Sequence, residues 1–395
     1  MKFLIRFSLV IFLSIFLCLP LISEPLVDPD FGYSLDVPEG FQVAEYTPDG
    51  MSYRFYNQNV PVSLLLKIYM KDAARDAEGA FTRTVERLNG KADIDHLTWR
   101  NLSCVISSFT MQLPSSDMEF EGWGTSVPLP GKDAFLVLLC YTDTNSFNSL
   151  AQFIISTLNS LCIDKGSISS PGIFTSYAFP QNQKVKESVK IVGSTIYTEF
   201  SKDDREALNF VTELEYSVLS LYAENEKWIE AWSRYYRAIW RESSGLLKKA
   251  ANDIYSSLYD ICKKENPANP MIRMNEILLE WVQYMPYKRD NQTAKNTDFT
   301  DLVGTFLSDG SDCDSRSLLL SVLLQNMGQD TCLFVSREYS HAVYGINLQI
   351  PGAKIRVEDA DYLLCETTAK GIAPGLIDQS QSVTENWIPI LPRKE

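Results

Sequence analysis

The chain has 395 residues, 45% of them hydrophobic and 22% charged, with 36 basic against 50 acidic residues for a net charge of −14. That balance excludes a disordered, collagen-like or multi-span membrane protein, and the length suits about two domains, each with its own core. No long Lys/Arg run offers the basic footprint a wrapped nucleic acid needs, and two histidines, His96 and His341, are too few for a multi-histidine zinc site.

The first residues read MKFLIRFSLVIFLSIFLCLPLISEP. Lys2 and Arg6 form a positive n-region, Phe7 to Ile22 is almost wholly apolar, and Ser23 offers a small residue for cleavage ahead of Glu24. Residues 1–23 therefore read as an export signal, with the rest delivered to the periplasm or beyond. An uncleaved anchor is the alternative, at the short end for a span. Lipid attachment at Cys18 is disfavoured by the bulky Leu17 before it. Loss of Cys18 from eight cysteines leaves an odd number, so an oxidising compartment leaves at least one thiol unpaired within the chain.

Residues 24–165 are strand-rich. The runs 31–37, 52–57, 61–70, 102–111 and 133–142 are β-branched and aromatic, bounded by Pro, Gly and Asp turns. Helical stretches at 72–89 and 146–161 interrupt and close them. The expectation is an α+β module, an antiparallel sheet covered by helices on one face. The order, with a Val-Pro-Glu-Gly turn after the first strand and a closing helix, resembles the PsbP-like group over roughly 140 residues. No catalytic cluster is visible there, and His96, beside Asp93 and Asp95, reads as a solvated loop histidine.

KGSISSPG (165–172) marks a boundary, taken as a linker over 166–174. The second unit, 175–395, starts with a strand-like piece at 187–200 and continues mostly as helix. Asp203 and Asp204 suit a helix start before the periodic run Glu206 to Tyr222. Trp228, Trp232, Tyr235, Tyr236 and Ile239 form one helical stripe, read as core rather than as a sugar platform. NPANP (266–270) ends that run, and another helix starts at 271.

The chemistry concentrates in 305–371. Cys313 follows the turn Asp309-Gly310-Ser311-Asp312 and opens a Leu-rich run ending at Gly328, a buried helix. A cysteine there faces free N–H groups and the positive helix end, which favour the thiolate; Asp312 and Asp314 oppose it. His341 opens HAVYGINL, a strand, and an imidazole brought to a thiol accepts its proton and readies it to attack an acyl carbon. Glu366, on a second strand among Leu363, Leu364 and Cys365, is expected inside and in need of a partner. By alternation it shares a face with Leu364 and opposes Cys365.

This succession of a Gly-x-x-Cys helix start, a Leu-rich helix, a strand opening His-Ala-Val and a strand ending Glu-Thr-Thr resembles the transglutaminase-like superfamily, from roughly 275 to 385. The stretch ILLEWVQYMPYKRD adds to the likeness. The resemblance implies a papain-like domain with a helical front part, Cys313 as nucleophile, His341 as general base and acid, and Glu366 as orienting carboxylate. Glu366 stands where Asp is usual, and Val343 stands where many members carry Trp. The Cys313 backbone N–H is the natural oxyanion donor, with Gln283 or Tyr287 as side-chain partners.

The other cysteines after the signal are Cys104, Cys140, Cys162, Cys262, Cys332 and Cys365, and Cys104 and Cys140 are a candidate pair; the six permit about 15 pairings. CxxC, HExxH, Walker and GxSxG patterns are absent, so no cofactor or metal is expected. The expectation is an exported thiol enzyme acting on protein or peptide amides through a Cys thioester. Hydrolysis is favoured over crosslinking because water needs no acceptor site. The alternative is a non-catalytic exported protein that keeps the fold and uses its N-terminal module and acidic surface for envelope or membrane-surface contacts.

Overall fold

The computed structural model describes residues 25–112, 118–181, 183–289, 297–307 and 310–393; the expected export segment lies outside them. The first unit runs β1 (Leu26–Asp28), β2 (Tyr33–Leu35), β3 (Phe41–Tyr46), β4 (Ser52–Asn57), β5 (Ser63–Met70), α1 (Ala77–Arg87), β6 (Lys91–Trp99), β7 (Leu102–Gln112), β8 (Glu119–Pro128), β9 (Ala134–Asp143) and α2 (Phe147–Asn159). Seven of these strands make one antiparallel sheet in the order β3-β4-β5-β9-β8-β7-β6. A short β10 (Leu161–Cys162) joins β2, which also pairs with β1.

The sheet is covered on both faces, not one. α1, N-capped by Asp76, lays Phe81 and Val85 on Val105, Phe109, Val137 and Leu139. α2 lays Phe153, Ile154 and Leu158 on Leu64, Leu66, Leu136 and Leu138 of the opposite face. The cause is visible in β9, whose run AFLVLLCYT is buried throughout. An apolar run without alternation is stable only where both faces are shielded. His96 also departs from expectation. It lies on β6, paired with Val105 of β7 at the sheet edge, its side chain 61% exposed and 3.6 Å from Glu78. Sheet register overrides the loop preference of Asp93 and Asp95.

After a 3-10 turn (Lys165–Ser169) come α3 (Ile173–Ala178) and the hairpin β11 (Lys184–Ile191) and β12 (Ser194–Ser201). The hairpin turns on Val192 and Gly193, both at positive φ (39° and 85°), where the single strand-like piece of 187–200 was expected. Helices follow: α4 (Asp204–Ser220), α5 (Trp228–Glu265), α6 (Pro270–Gln283), α7 (Leu302–Phe306) and α8 (Cys313–Asn326). The last strands, β13 (Thr331–Ser336), β14 (His341–Ile346), β15 (Lys354–Val357), β16 (Ala360–Cys365) and β17 (Ile388–Ile390), form an antiparallel sheet ordered β15-β16-β14-β13-β17. The whole is mixed α+β with antiparallel sheets.

The 38-residue α5 joins the two units. Of the expected aromatic stripe, Tyr235, Tyr236 and Ile239 enter the second unit's core beside Trp240, Trp232 is only partly buried against it, and Trp228 lies outside it. The other side of α5 carries buried Arg234, Arg237 and Arg241. Arg237 grips Asp36 through two bonds (3.0 and 2.9 Å), Arg234 pairs with Glu215 at 2.5 Å, and Arg241 donates to the carbonyls of Asn159, Leu161 and Ser167. Glu242 accepts the Gly172 N–H (2.9 Å), so residues 165–175 are packed against α5. All seven cysteines among the described residues are buried free thiols, including the candidate pair Cys104 and Cys140. Among the described residues no helix is long and apolar enough to cross a membrane.

Candidate functional site

α8 is buried around its whole circumference from Ser315 to Leu324, and Leu318, Leu319, Leu320, Val322, Leu323 and Leu324 have no exposed surface. Such a helix is stable only when enclosed; the inner face of β13 and β14, with α5 and α6, encloses it. Asp312 caps its start by accepting from the Ser315 backbone (3.0 Å) and hydroxyl (2.7 Å). Cys313 is therefore the first helical residue, as expected, and is only 6% exposed.

His341 opens β14, opposite Ser336 across the β13–β14 turn. Its Nε2 lies 2.7 Å from Oε2 of Glu366, the residue just after β16. With Nε2 so engaged, Nδ1 is the nitrogen left for proton exchange. The second oxygen of Glu366 accepts from the Thr368 backbone (2.6 Å) and hydroxyl (2.5 Å). Burial opposes ionisation of Glu366, but His341 and Thr368 outweigh it and bring the carboxyl down to about 2. Ser317 of α8 bonds both the Ala342 carbonyl (3.2 Å) and the Thr367 hydroxyl (3.1 Å), so α8, β14 and the end of β16 are laced together below the three residues.

The thiol does not rest as an ion pair. Cys313 Sγ donates to Asp314 Oδ1 at 3.0 Å rather than to the imidazole. Burial first, and Asp314 next, push the thiol far above its ordinary range, while the Ala342 backbone N–H pulls the other way. Tyr236 of α5 donates to the other oxygen of Asp314 and holds that carboxylate in place. Burial and Asp314 also raise Asp312, to about 7. At this helix start the two acids and the low polarity outweigh the helix dipole, whose effect is worth about 0.3–2 kcal/mol.

Of the two suggested oxyanion partners, Gln283 is spent elsewhere. Its amide donates to the carbonyls of Glu366 and Ile372 (both 2.8 Å) and accepts the Gly371 N–H (3.0 Å), bracing the segment that carries Glu366. Tyr287 is 55% exposed, and partial burial with the nearby Asp312 and Asp314 raises its hydroxyl. As the first residue of α8, Cys313 has a backbone N–H that belongs to the turn without intrahelical partners.

Arg316 is the residue that sequence reasoning passed over. It is 1% exposed and donates to Ser311 Oγ, Thr367 O and Met285 O, with its guanidinium 5.4 Å from the Tyr287 ring. Among the described residues no carboxylate pairs with it directly, and burial lowers it, while Asp312, Cys313 and Glu366 all lie within its field. It supplies positive potential behind the thiol. The signal was present, because an arginine inside SRSLLLSVLL has no solvent face to occupy. Tyr236 and Thr368 gave no comparable signal, since both depend on contacts between distant elements. Among the described residues no group of three or more His, Cys, Asp or Glu is disposed to hold a metal ion.

The sequence matches no family model and no curated protein. Solved structures of weak likeness include the cyanobacterial PsbP (CyanoP) of Synechocystis, at 9% identity and TM-score 0.29 over 35% of this chain and 91% of that one. The Ran-binding protein Mog1p of Saccharomyces cerevisiae stands at 12% identity and TM-score 0.28 over 35% and 94%. A Bacteroides thetaiotaomicron protein stands at 11% and 0.26 over 57% and 78%. The N-terminal part thus has a weak PsbP- and Mog1-like resemblance, and at these scores no functional argument rests on it.

Proposed function

We propose that the second unit is a transglutaminase-like thiol acyl-transfer centre in an exported protein, with Cys313 as nucleophile, His341 as base and acid, and Glu366 orienting the imidazole. The observation that carries the reading is the His341 Nε2–Glu366 Oε2 contact of 2.7 Å, set on the strand whose Ala342 N–H meets the thiol at the start of α8. In the reaction the thiol gives its proton to Nδ1, and sulfur bonds to the amide carbonyl carbon. The C–N bond breaks as the imidazolium protonates the departing amine or ammonia, and water then resolves the thioester. Hydrolysis is preferred to amine transfer because water needs no second binding site. Since the resting thiol is bonded to Asp314, it must turn from that carboxylate to the imidazole when substrate arrives.

The second reading, a non-catalytic exported binding protein, is favoured by that same resting contact, which keeps Cys313 protonated. A glutamine peptide incubated with wild type, Cys313→Ala and His341→Ala, followed by mass spectrometry, separates the two. Conversion to glutamate by wild type and by neither variant supports catalysis. Conversion by none, with Cys313 unreactive towards iodoacetamide, leaves the binding protein. Adding a primary amine distinguishes transfer from hydrolysis.

A further inference from the structure

Arg337, the first residue after β13 on the turn that leads to His341, lies over the Trp228 ring at the start of α5. Trp228, Trp232, Tyr216, Leu219 and Tyr222 line a cleft of about 250 Å³ there, and Arg337 closes one side. Trp228 and Trp232 lie 5.9 Å apart, centre to centre, and Trp232 lies 6.1 Å from Tyr236. Tyr236 in turn bonds Asp314, the residue holding the Cys313 thiol. The cleft therefore lies between the end of α4 with the residues just after it, the helix that reaches Asp314, and the turn that leads to His341. From Trp228 to Tyr236 the helix rises about 12 Å, the reach of three or four extended peptide residues.

We propose that this cleft is the substrate subsite of the thiol centre, seating an aromatic or large aliphatic residue of the peptide together with a neighbouring carboxylate. The inference rests on the catalytic reading above and names its substrate class. The volume suits one large side chain, below the usual span for a whole organic ligand of about 300–1,000 Å³. Ring faces of Trp228 and Trp232 supply the stacking surface. The carboxylate is called for by Arg337. Its exposed guanidinium lies 5.0 Å from the Trp228 ring centre, and among the described residues no carboxylate pairs with it. In a chain of net charge −14, an acidic peptide is repelled over most of the surface, so one unpaired cation beside the cleft sets where it docks.

The full-length Cys313→Ala protein, titrated by calorimetry, tests this without turnover. The probes are acetylated, amidated hexapeptides with Phe-Asp three residues before or three residues after a glutamine, and the same peptides with Ala for Phe or Asn for Asp. Either replacement is expected to weaken binding at least tenfold in one of the two orders. Arg337→Gln, on an exposed turn, should abolish the Asp–Asn difference, and Trp232→Ala the Phe–Ala difference. Equal binding of all peptides, or an Asp preference unchanged in Arg337→Gln, overturns the assignment. If wild type hydrolyses glutamine peptides with a KM indifferent to Phe, Asp and Arg337→Gln, the subsite fails while the catalytic reading stands. If the preferences appear but wild type turns over no peptide, the cleft stands as a peptide site and the catalysis falls.

Discussion

Asp314 sits one residue from the proposed nucleophile, accepts a 3.0 Å hydrogen bond from its thiol and is itself steadied by Tyr236. A carboxylate in that position makes the thiolate costly, so the sign of its removal is clear. Asp314→Asn should bring the Cys313 thiol down and speed its alkylation by iodoacetamide at pH 7.5, about tenfold for each pKa unit recovered. Peptide mass spectrometry reads this, with the buried Cys104 and Cys365, both pushed up by burial to about 12, as slow internal standards. An unchanged rate would mean that burial alone holds the proton. Glu366 works in the opposite sense: its carboxyl, brought to about 2, stays ionised at any working pH. Glu366→Gln should keep the fold at neutral pH but lower amide turnover by roughly 10²–10⁴-fold through loss of imidazolium stabilisation. Turnover assays at fixed pH check this, and a loss below threefold would remove Glu366 from the mechanism.

At the scale of elements, α5 shows how one helix carries two messages. The spacing of Trp228, Trp232, Tyr235, Tyr236 and Ile239 was legible as an apolar stripe, because a 3.6-residue period is a local property. Arg234, Arg237 and Arg241 recur at a similar spacing on the other side and look, in sequence, like a solvated face. They are buried because α2 and the segment after it lie across them, and their partners Asp36, Glu215 and Asn159 come from elsewhere in the chain. Removing one member of such a pair strands a charge in the interior. Arg237→Ala should therefore cost roughly 3–5 kcal/mol in urea unfolding, and adding Asp36→Asn should recover part of the loss. An additive double variant would show that the pair is not coupled. The same dependence on neighbours explains why β9 was found but the cover on its second face was not, and why His96 was placed in a loop.

For the whole molecule, the join between the units has a pH signature. Glu242, fully enclosed where α5 meets residues 159–175, is raised to about 7 by burial, partly offset by Arg241 and the Gly172 N–H. A carboxyl whose folded pKa lies above its unfolded value near 4.5 binds its proton more tightly in the folded state. Its contribution to stability is therefore full below about pH 4.5 and is lost as pH rises towards 7. Asp312 acts in the same direction. Glu242→Gln, whose amide oxygen still accepts from Gly172 and whose NH2 faces Thr175, should stabilise the protein at pH 8 by up to about 3 kcal/mol and have little effect at pH 4.5. Thermal or urea unfolding at the two pH values checks this; equal effects at both would place the ionisation elsewhere.

The order of the candidate site was present in the sequence by itself. A cysteine after a Gly-Ser-Asp turn opening a Leu-rich helix, a histidine opening a strand and a glutamate closing another each follow from local periodicity and turn chemistry, as do most of the strands of the first unit. What only the tertiary structure decided is the state of that site. The Nε2–Oε2 contact, the hold of Tyr236 on Asp314, the use of Gln283 as a brace and the burial of Arg316 all arise between residues tens of positions apart or from enclosure. Burial and electric field depend on what the rest of the chain places around a group, and no window along the sequence contains that information.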